Sequence, residues 1–198
     1  MSDMTPTLDL GAFKHVVVPI GVVIALGVAR IVTAISHYIQ DRGRIRFSVT
    51  HAAWAGLLFL WFVGLWWISW GLRHVEAERW SYFTLIYLLV GPSLMYLATT
   101  LLLPDVPDGG ELDLAARFES IGRAFFICLA GFIVWLACVE LLLLREPFLL
   151  PKRANQSVVL LMFLVGASFP SRRTAAILAA LTLPLALVAL ATWRARLT

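Results

Sequence analysis

Charge is what this chain has least of: 14% of its 198 residues are Asp, Glu, Lys or Arg, while 61% are hydrophobic. A soluble domain runs nearer a quarter charged and half apolar, so a water-soluble fold would leave apolar surface with nowhere to hide. Lysine is almost missing, with 2 residues against 14 arginines, a bias that points to a GC-rich bacterial genome. The arginines flank apolar runs instead of forming one patch. Despite the net charge of +4, that pattern speaks against a nucleic-acid partner and for an inserted protein. Cysteine is also scarce. Cys128 and Cys138 stand ten residues apart, about 15 Å along one helix, too far for a disulfide, and read as small apolar side chains. No HExxH, paired-cysteine or carboxylate-cluster motif offers a metal site, and no nucleophile–base pairing offers catalysis. Neither an enzyme nor a bound cofactor is expected.

What the chain does have is long apolar runs. A helix needs about 20 apolar residues to cross a hydrocarbon core of roughly 30 Å. Windows at 13–38, 51–72, 82–104, 123–144, 155–171 and 174–193 meet or approach that length. They are unbroken, not alternating, so barrel strands are excluded, and open sheets cannot satisfy their backbone in lipid. The expected fold is all-α: one polytopic transmembrane domain over 1–198, a bundle of about six helices. The N-terminal stretch lacks a cluster of positive charge, so the first apolar run reads as a retained span and not a cleaved signal peptide.

The loops and helix ends carry further signals. Arg42, Arg44 and Arg46 follow the first span and favour the cytoplasm, which places the N-terminus in the periplasm. The full Lys and Arg tally is balanced between the two sides. Trp66, Trp67 and Trp70, with Trp80 and Tyr82 beyond, form an aromatic belt at headgroup level. Gly21, Ala25, Ala29 and Thr33 make a ladder of small residues along the first span, suited to close helix packing. Pro92 and Pro184 fall near the centres of spans three and six and predict kinks that free the carbonyls of Leu88 and Ala180. In the third loop, Leu114, Phe118, Ile121 and Phe125 share one helical face. A short amphipathic interfacial helix before the fourth span follows from that spacing.

Polar residues inside the apolar runs are the candidate functional residues. Arg30 lies eight positions before Tyr38, roughly 12 Å into the membrane, and needs a backbone carbonyl, a partner or a snorkelling path. Glu140 sits near the end of span four. An Arg30–Glu140 pair would need tilted helices or a bridging water, and Arg145 is the simpler partner for Glu140. His15, His37, His51 and His74 fall at span ends, too far toward the edges for an intramembrane haem.

The run Leu26-Gly27-Val28-Ala29-Arg30, then Arg42-Gly43-Arg44-Ile45-Arg46, His51, Trp54-Ala55, Trp66-Trp67 and Leu72-Arg73 are joined by Gly91-Pro92, Tyr96-Leu97 and Pro104-Asp105. With Leu112-Asp113-Leu114 through Phe125-Phe126, they resemble a group of uncharacterised bacterial inner-membrane proteins. The resemblance spans residues 20–140 and implies a location, the inner membrane, without an activity. The leading expectation is a multi-pass, non-enzymatic structural, accessory or interaction protein. Its partners would be the lipid bilayer and either a second copy or another membrane protein. The rival is a small transporter or channel with a midplane site near Arg30, Pro92 and Pro184, since interrupted helices at matching positions of two halves are a transporter signature.

Overall fold

A computed structural model describes residues 10–41, 43–46, 48–75, 79–105, 112–145 and 150–194. Arg42 and the 106–111 portion of the third loop lie outside these. Six helices account for nearly all of the described chain: α1 (Leu10–Gln40), α2 (Val49–Gly71), α3 (Tyr82–Leu102), α4 (Leu114–Cys138), α5 (Leu150–Ser168) and α6 (Arg172–Arg194). Within the described residues, Phe13–Gln40, Val49–Gly71, Tyr82–Leu102 and Ala116–Leu143 are long and apolar enough to cross a membrane. The helical bundle expected from the apolar runs is the fold observed.

The amphipathic stretch of the third loop is helical, as its spacing predicts, but it is not a separate element. It forms the first turns of α4, which starts at Leu114 and runs unbroken past residue 123. Asp113 fixes that start by accepting a hydrogen bond from the Ala116 amide at 2.9 Å, an N-cap that satisfies one orphan donor. The face made by Leu114, Phe118, Ile121 and Phe125 is buried against the bundle. Ser81 and Ser171 cap α3 and α6 in the same way, through Thr84 and Thr174. At its far end α4 widens into a π-helical turn, Val139–Leu143.

α4 is the central element. It packs along α3 and α5, while α1 lies against α3 and α2, and α6 against α2, α5 and α4. The core is aromatic. Trp54 meets Phe125 and Phe126 edge-on at centroid distances of 5.2 and 5.5 Å, and Phe163 closes the group at 6.1 Å. All four rings are fully buried. Buried indole N–H groups need acceptors, and both find carbonyls on other helices. Trp54 donates to Ala175 of α6 at 3.2 Å and Trp135 to Tyr87 of α3 at 2.7 Å. Where lipid replaces water around the helices, such close packing and interhelical hydrogen bonds hold a bundle together.

The exposed surface has the reverse character. Val18, Val22, Leu26, Val32, Ile35 and Ile39 are exposed along α1, an apolar stripe. Ala25, Ala29 and Thr33 of the small-residue ladder also face outward, and only Gly21 sits close to another helix, against Trp66. Trp66, Trp67 and Trp70 are each about half exposed at the end of α2, near exposed Tyr82 and Phe83 at the start of α3. Arg73 lies 5.1 Å over the Trp70 ring, a cation–π contact at the level where a belt would meet headgroups.

Two parallel strands of two residues, β1 (Ile45–Arg46) and β2 (Leu112–Asp113), join the first and third loops, with Ile45 opposite Leu112 and Arg46 opposite Asp113. The Leu112 amide donates to the Arg44 carbonyl at 2.9 Å. The α5–α6 turn reaches the same end of the bundle, where Arg172 pairs with Glu119 at 3.2 Å.

Candidate functional site

The loop end that carries β1 and β2 holds the more open of two polar clusters. α1 has 31 residues and α3 has 21, roughly 46 and 31 Å, so the two helices need not end level. Arg30 shows that they do not. Its guanidinium reaches the C-terminal end of α3, where Nη1 donates to Asp105 Oδ1 at 2.6 Å and Nη2 to the Leu103 carbonyl at 2.7 Å. Tyr38, two turns further along α1, donates to the Pro104 carbonyl at 3.2 Å. The end of α3 therefore lies between Arg30 and Tyr38. Arg30 sits beside a helix terminus, bonded to a backbone carbonyl and a carboxylate, and not halfway across the bundle.

Asp105 is 77% exposed, and the adjacent guanidinium holds its carboxyl below the usual carboxylate range by hydrogen bond and charge. A depressed carboxylate contributes stability that is complete above the unfolded-chain value and is lost as pH falls through the lowered one. Exposure and solvent screening keep that contribution small. Asp105→Asn is therefore expected to melt slightly below the parent protein in detergent at neutral pH. The two melting curves should converge at the acid end of a pH series, below the ordinary Asp range of about 3.9. A gap of constant size across the series would mean the ion pair is not its source.

Between α1, α3 and α4 opens a groove of about 420 Å³ lined by Arg30, Tyr96, Thr100, Pro104, Asp105 and Arg117. Arg117 stands on the polar side of the amphipathic start of α4 and carries a buried Nε that meets no acceptor among the described residues. Close by, His51 is only 2% exposed, with its ring edge-on to Phe118 at 5.4 Å. Neither ring nitrogen of His51 has a hydrogen-bond partner among the described residues. It stands at a span end, as expected of it, but under a phenylalanine instead of in the open. His15 and His37 are exposed.

The second cluster lies at the opposite end and is closed. Glu140, in the π-helical turn, is buried. Its Oε1 pairs with Lys152 at 2.9 Å, and its Oε2 takes Arg153 at 2.9 Å and the Gln156 amide at 2.8 Å. Arg153 also donates to Gln156 Oε1 at 2.7 Å, and Arg79 donates to the Leu142 carbonyl at 2.9 Å. The partners of Glu140 are thus on the first turns of α5. Arg30 belongs to the other end, so it does not pair with Glu140. Sequence reading pointed to Arg145 because it is near in the chain, whereas the return of α5 brings Lys152, Arg153 and Gln156 to the carboxylate. Their spacing, three and four residues apart on one helical face, was the available signal.

Pro92 and Pro184 stand on helices that are not among each other's principal neighbours. Pro92 is buried in α3 and Pro184 is exposed on α6, and the helices that α6 packs on are α2, α4 and α5. α3 stays helical through Pro92. The Trp135 indole covers the carbonyl of Tyr87, next to the Leu88 carbonyl that Pro92 leaves without a helical donor. Arg30, Pro92 and Pro184 are three separate places in the fold.

These features define a class: a helical bundle of membrane-crossing length with an aromatic interior and a charged cluster toward each end. No family model, curated protein or solved structure matches the chain.

Proposed function

We propose that this chain is a multi-pass protein of the bacterial inner membrane that acts as a non-enzymatic structural or accessory component and does not conduct a solute. The observation that carries this reading is the filled centre of the bundle. Trp54, Phe125, Phe126 and Phe163 interlock across α2, α4 and α5, and a path for ions or polar solutes would need water or polar side chains in their place. The separation of Pro92 from Pro184 removes the main support for a transporter with a midplane site. A bacterial inner-membrane origin is supported by the arginine-over-lysine bias and by the resemblance noted above. The short loop holding Arg44 and Arg46 supports a cytoplasmic position for the β1–β2 end and periplasmic termini.

Two measurements test this. Liposomes carrying the purified protein should pass protons, potassium and a small anionic dye no faster than empty liposomes, and reproducible flux would restore the transporter reading. A single cysteine at Gly43, in a background without Cys128 and Cys138, should resist a membrane-impermeant reagent added to intact cells. Labelling from the periplasmic side would reverse the orientation.

A further inference from the structure

We propose that the groove between α1, α3 and α4 binds a phosphate-bearing anion, with Arg117 as its principal donor. The inference rests on the membrane-embedded reading for where the groove lies, and on the groove's own residues for what it binds. Its charges do not balance. Arg30 pairs with Asp105 at 2.6 Å and commits its second terminal nitrogen to the Leu103 carbonyl, while its Nε, like that of Arg117, is buried without a hydrogen-bond partner among the described residues. That pair cancels in charge and leaves Arg117, among the described lining residues, as the charge without a counter-ion. The nearest acids to Arg117 in the chain are already engaged: Asp113 caps Ala116 and lies 3.9 Å from Arg46, and Glu119 pairs with Arg172. Among the described residues the Arg117 side chain has no hydrogen bond or ion pair, and its Nε is shut off from solvent without an acceptor.

A guanidinium offers five donors in a planar fork that matches the oxygens of a phosphate. The buried Nε is unfavourable without an acceptor, and the described residues supply none, so the site suits an acceptor brought by a ligand. Tyr96 adds a phenol to the lining. Thr100 spends its proton on the Leu97 carbonyl at 2.9 Å and so shapes the wall without donating. The volume of about 420 Å³ falls in the range of small-ligand sites, larger than a bare ion and suited to a headgroup or a phosphate ester. The groove opens where α3 ends and α4 begins, the depth at which an embedded bundle meets lipid phosphates.

The anion could come from a lipid headgroup or from solution, and the experiment separates the two. Protein purified in a neutral detergent is exposed to phosphatidylglycerol or phosphatidylcholine and bound lipids are counted by native mass spectrometry. In parallel, its melting temperature is followed against inorganic phosphate. A headgroup site should favour phosphatidylglycerol by about tenfold, the worth of one charge-assisted hydrogen bond, and Arg117→Gln should abolish that preference. Arg117→Lys should keep part of it, and Arg123→Gln, which alters an exposed arginine on the same helix, should keep all of it. A phosphate-dependent rise in melting temperature that Arg117→Gln removes would assign the site to a soluble anion. If Arg117→Gln is poorly folded, Tyr96→Phe serves in its place and should weaken the same preference several-fold. Equal binding of the two lipids with no phosphate effect, or an Arg117→Gln protein that behaves like the parent, overturns the proposal. Resistance of the protein to alkaline extraction from membranes tests the embedded reading separately, since a protein released by alkali could still bind phosphate.

Discussion

Glu140→Ala is expected to destabilise the bundle by about 3–5 kcal/mol, the usual consequence of removing one partner from a buried ion pair. Glu140 is the acid on which the other three polar side chains of the cluster converge, and its loss would remove the carboxylate that Lys152 and Arg153 both contact. Arg153 already holds Nε and Nη2 without acceptors among the described residues, so none of those residues offers it an alternative carboxylate. The effect should appear as a lower midpoint in detergent or SDS unfolding. It should also loosen the start of α5, detectable as faster proteolysis or amide exchange around residues 152–156. Glu140→Gln should be milder, because the amide oxygen can still accept from Gln156 or Arg153. Replacing Glu140, Lys152 and Arg153 together by Leu, Met and Met should recover much of the loss, since a well-packed apolar substitute for a buried charge cluster is often neutral. A Glu140→Ala protein as stable as its parent would show that water reaches the cluster freely.

Gly91→Ala should cost about 1–3 kcal/mol, the range for overpacking a filled core, and Gly91→Leu more. A methyl at residue 91 would stand 2.2–2.4 Å from the Trp135 ring, far inside van der Waals contact. The ring cannot swing away cheaply. Its Nε1 is bonded to the Tyr87 carbonyl, and its face stacks on Phe132 at 5.9 Å. α3 and α4 would therefore have to separate along their most extensive contact. Thermal unfolding in detergent measures the loss. Trp135→Ala should remove most of the additional penalty of Gly91→Ala, a non-additivity expected only if the two residues share the clash. Additive losses would move the cause elsewhere.

Much of the fold was legible because membrane-crossing length is written directly in the chain. The first span was expected at 13–38 and is observed at Leu10–Gln40, the third at 82–104 and at Tyr82–Leu102. The spacing of Leu114, Phe118, Ile121 and Phe125 gave the correct buried face. It could not show that no break separates those turns from the fourth span, because apolar periodicity reports a face and not a boundary. The polar partners were harder for a different reason. Arg30 and Asp105 are 75 residues apart, and their meeting depends on how far α1 overshoots α3, which composition does not specify. His51 was legible as a residue at a span end. Its burial depends on Phe118, which arrives from a helix more than sixty residues later. Nothing in the spacing around Arg117 marks it, since only the packing of α3 against α4 makes it part of a groove.

In the bilayer-embedded chain proposed above, the pairing of residues 45–46 with 112–113 also imposes a parity rule on insertion. For those strands to meet, the chain between them must leave and return to the same side of the bilayer, so α2 and α3 must both cross or both stay behind. A nascent chain with only one of them inserted would leave the two segments on opposite sides, unable to join. The strand pair therefore could not close over a chain in which only one of the two helices had inserted.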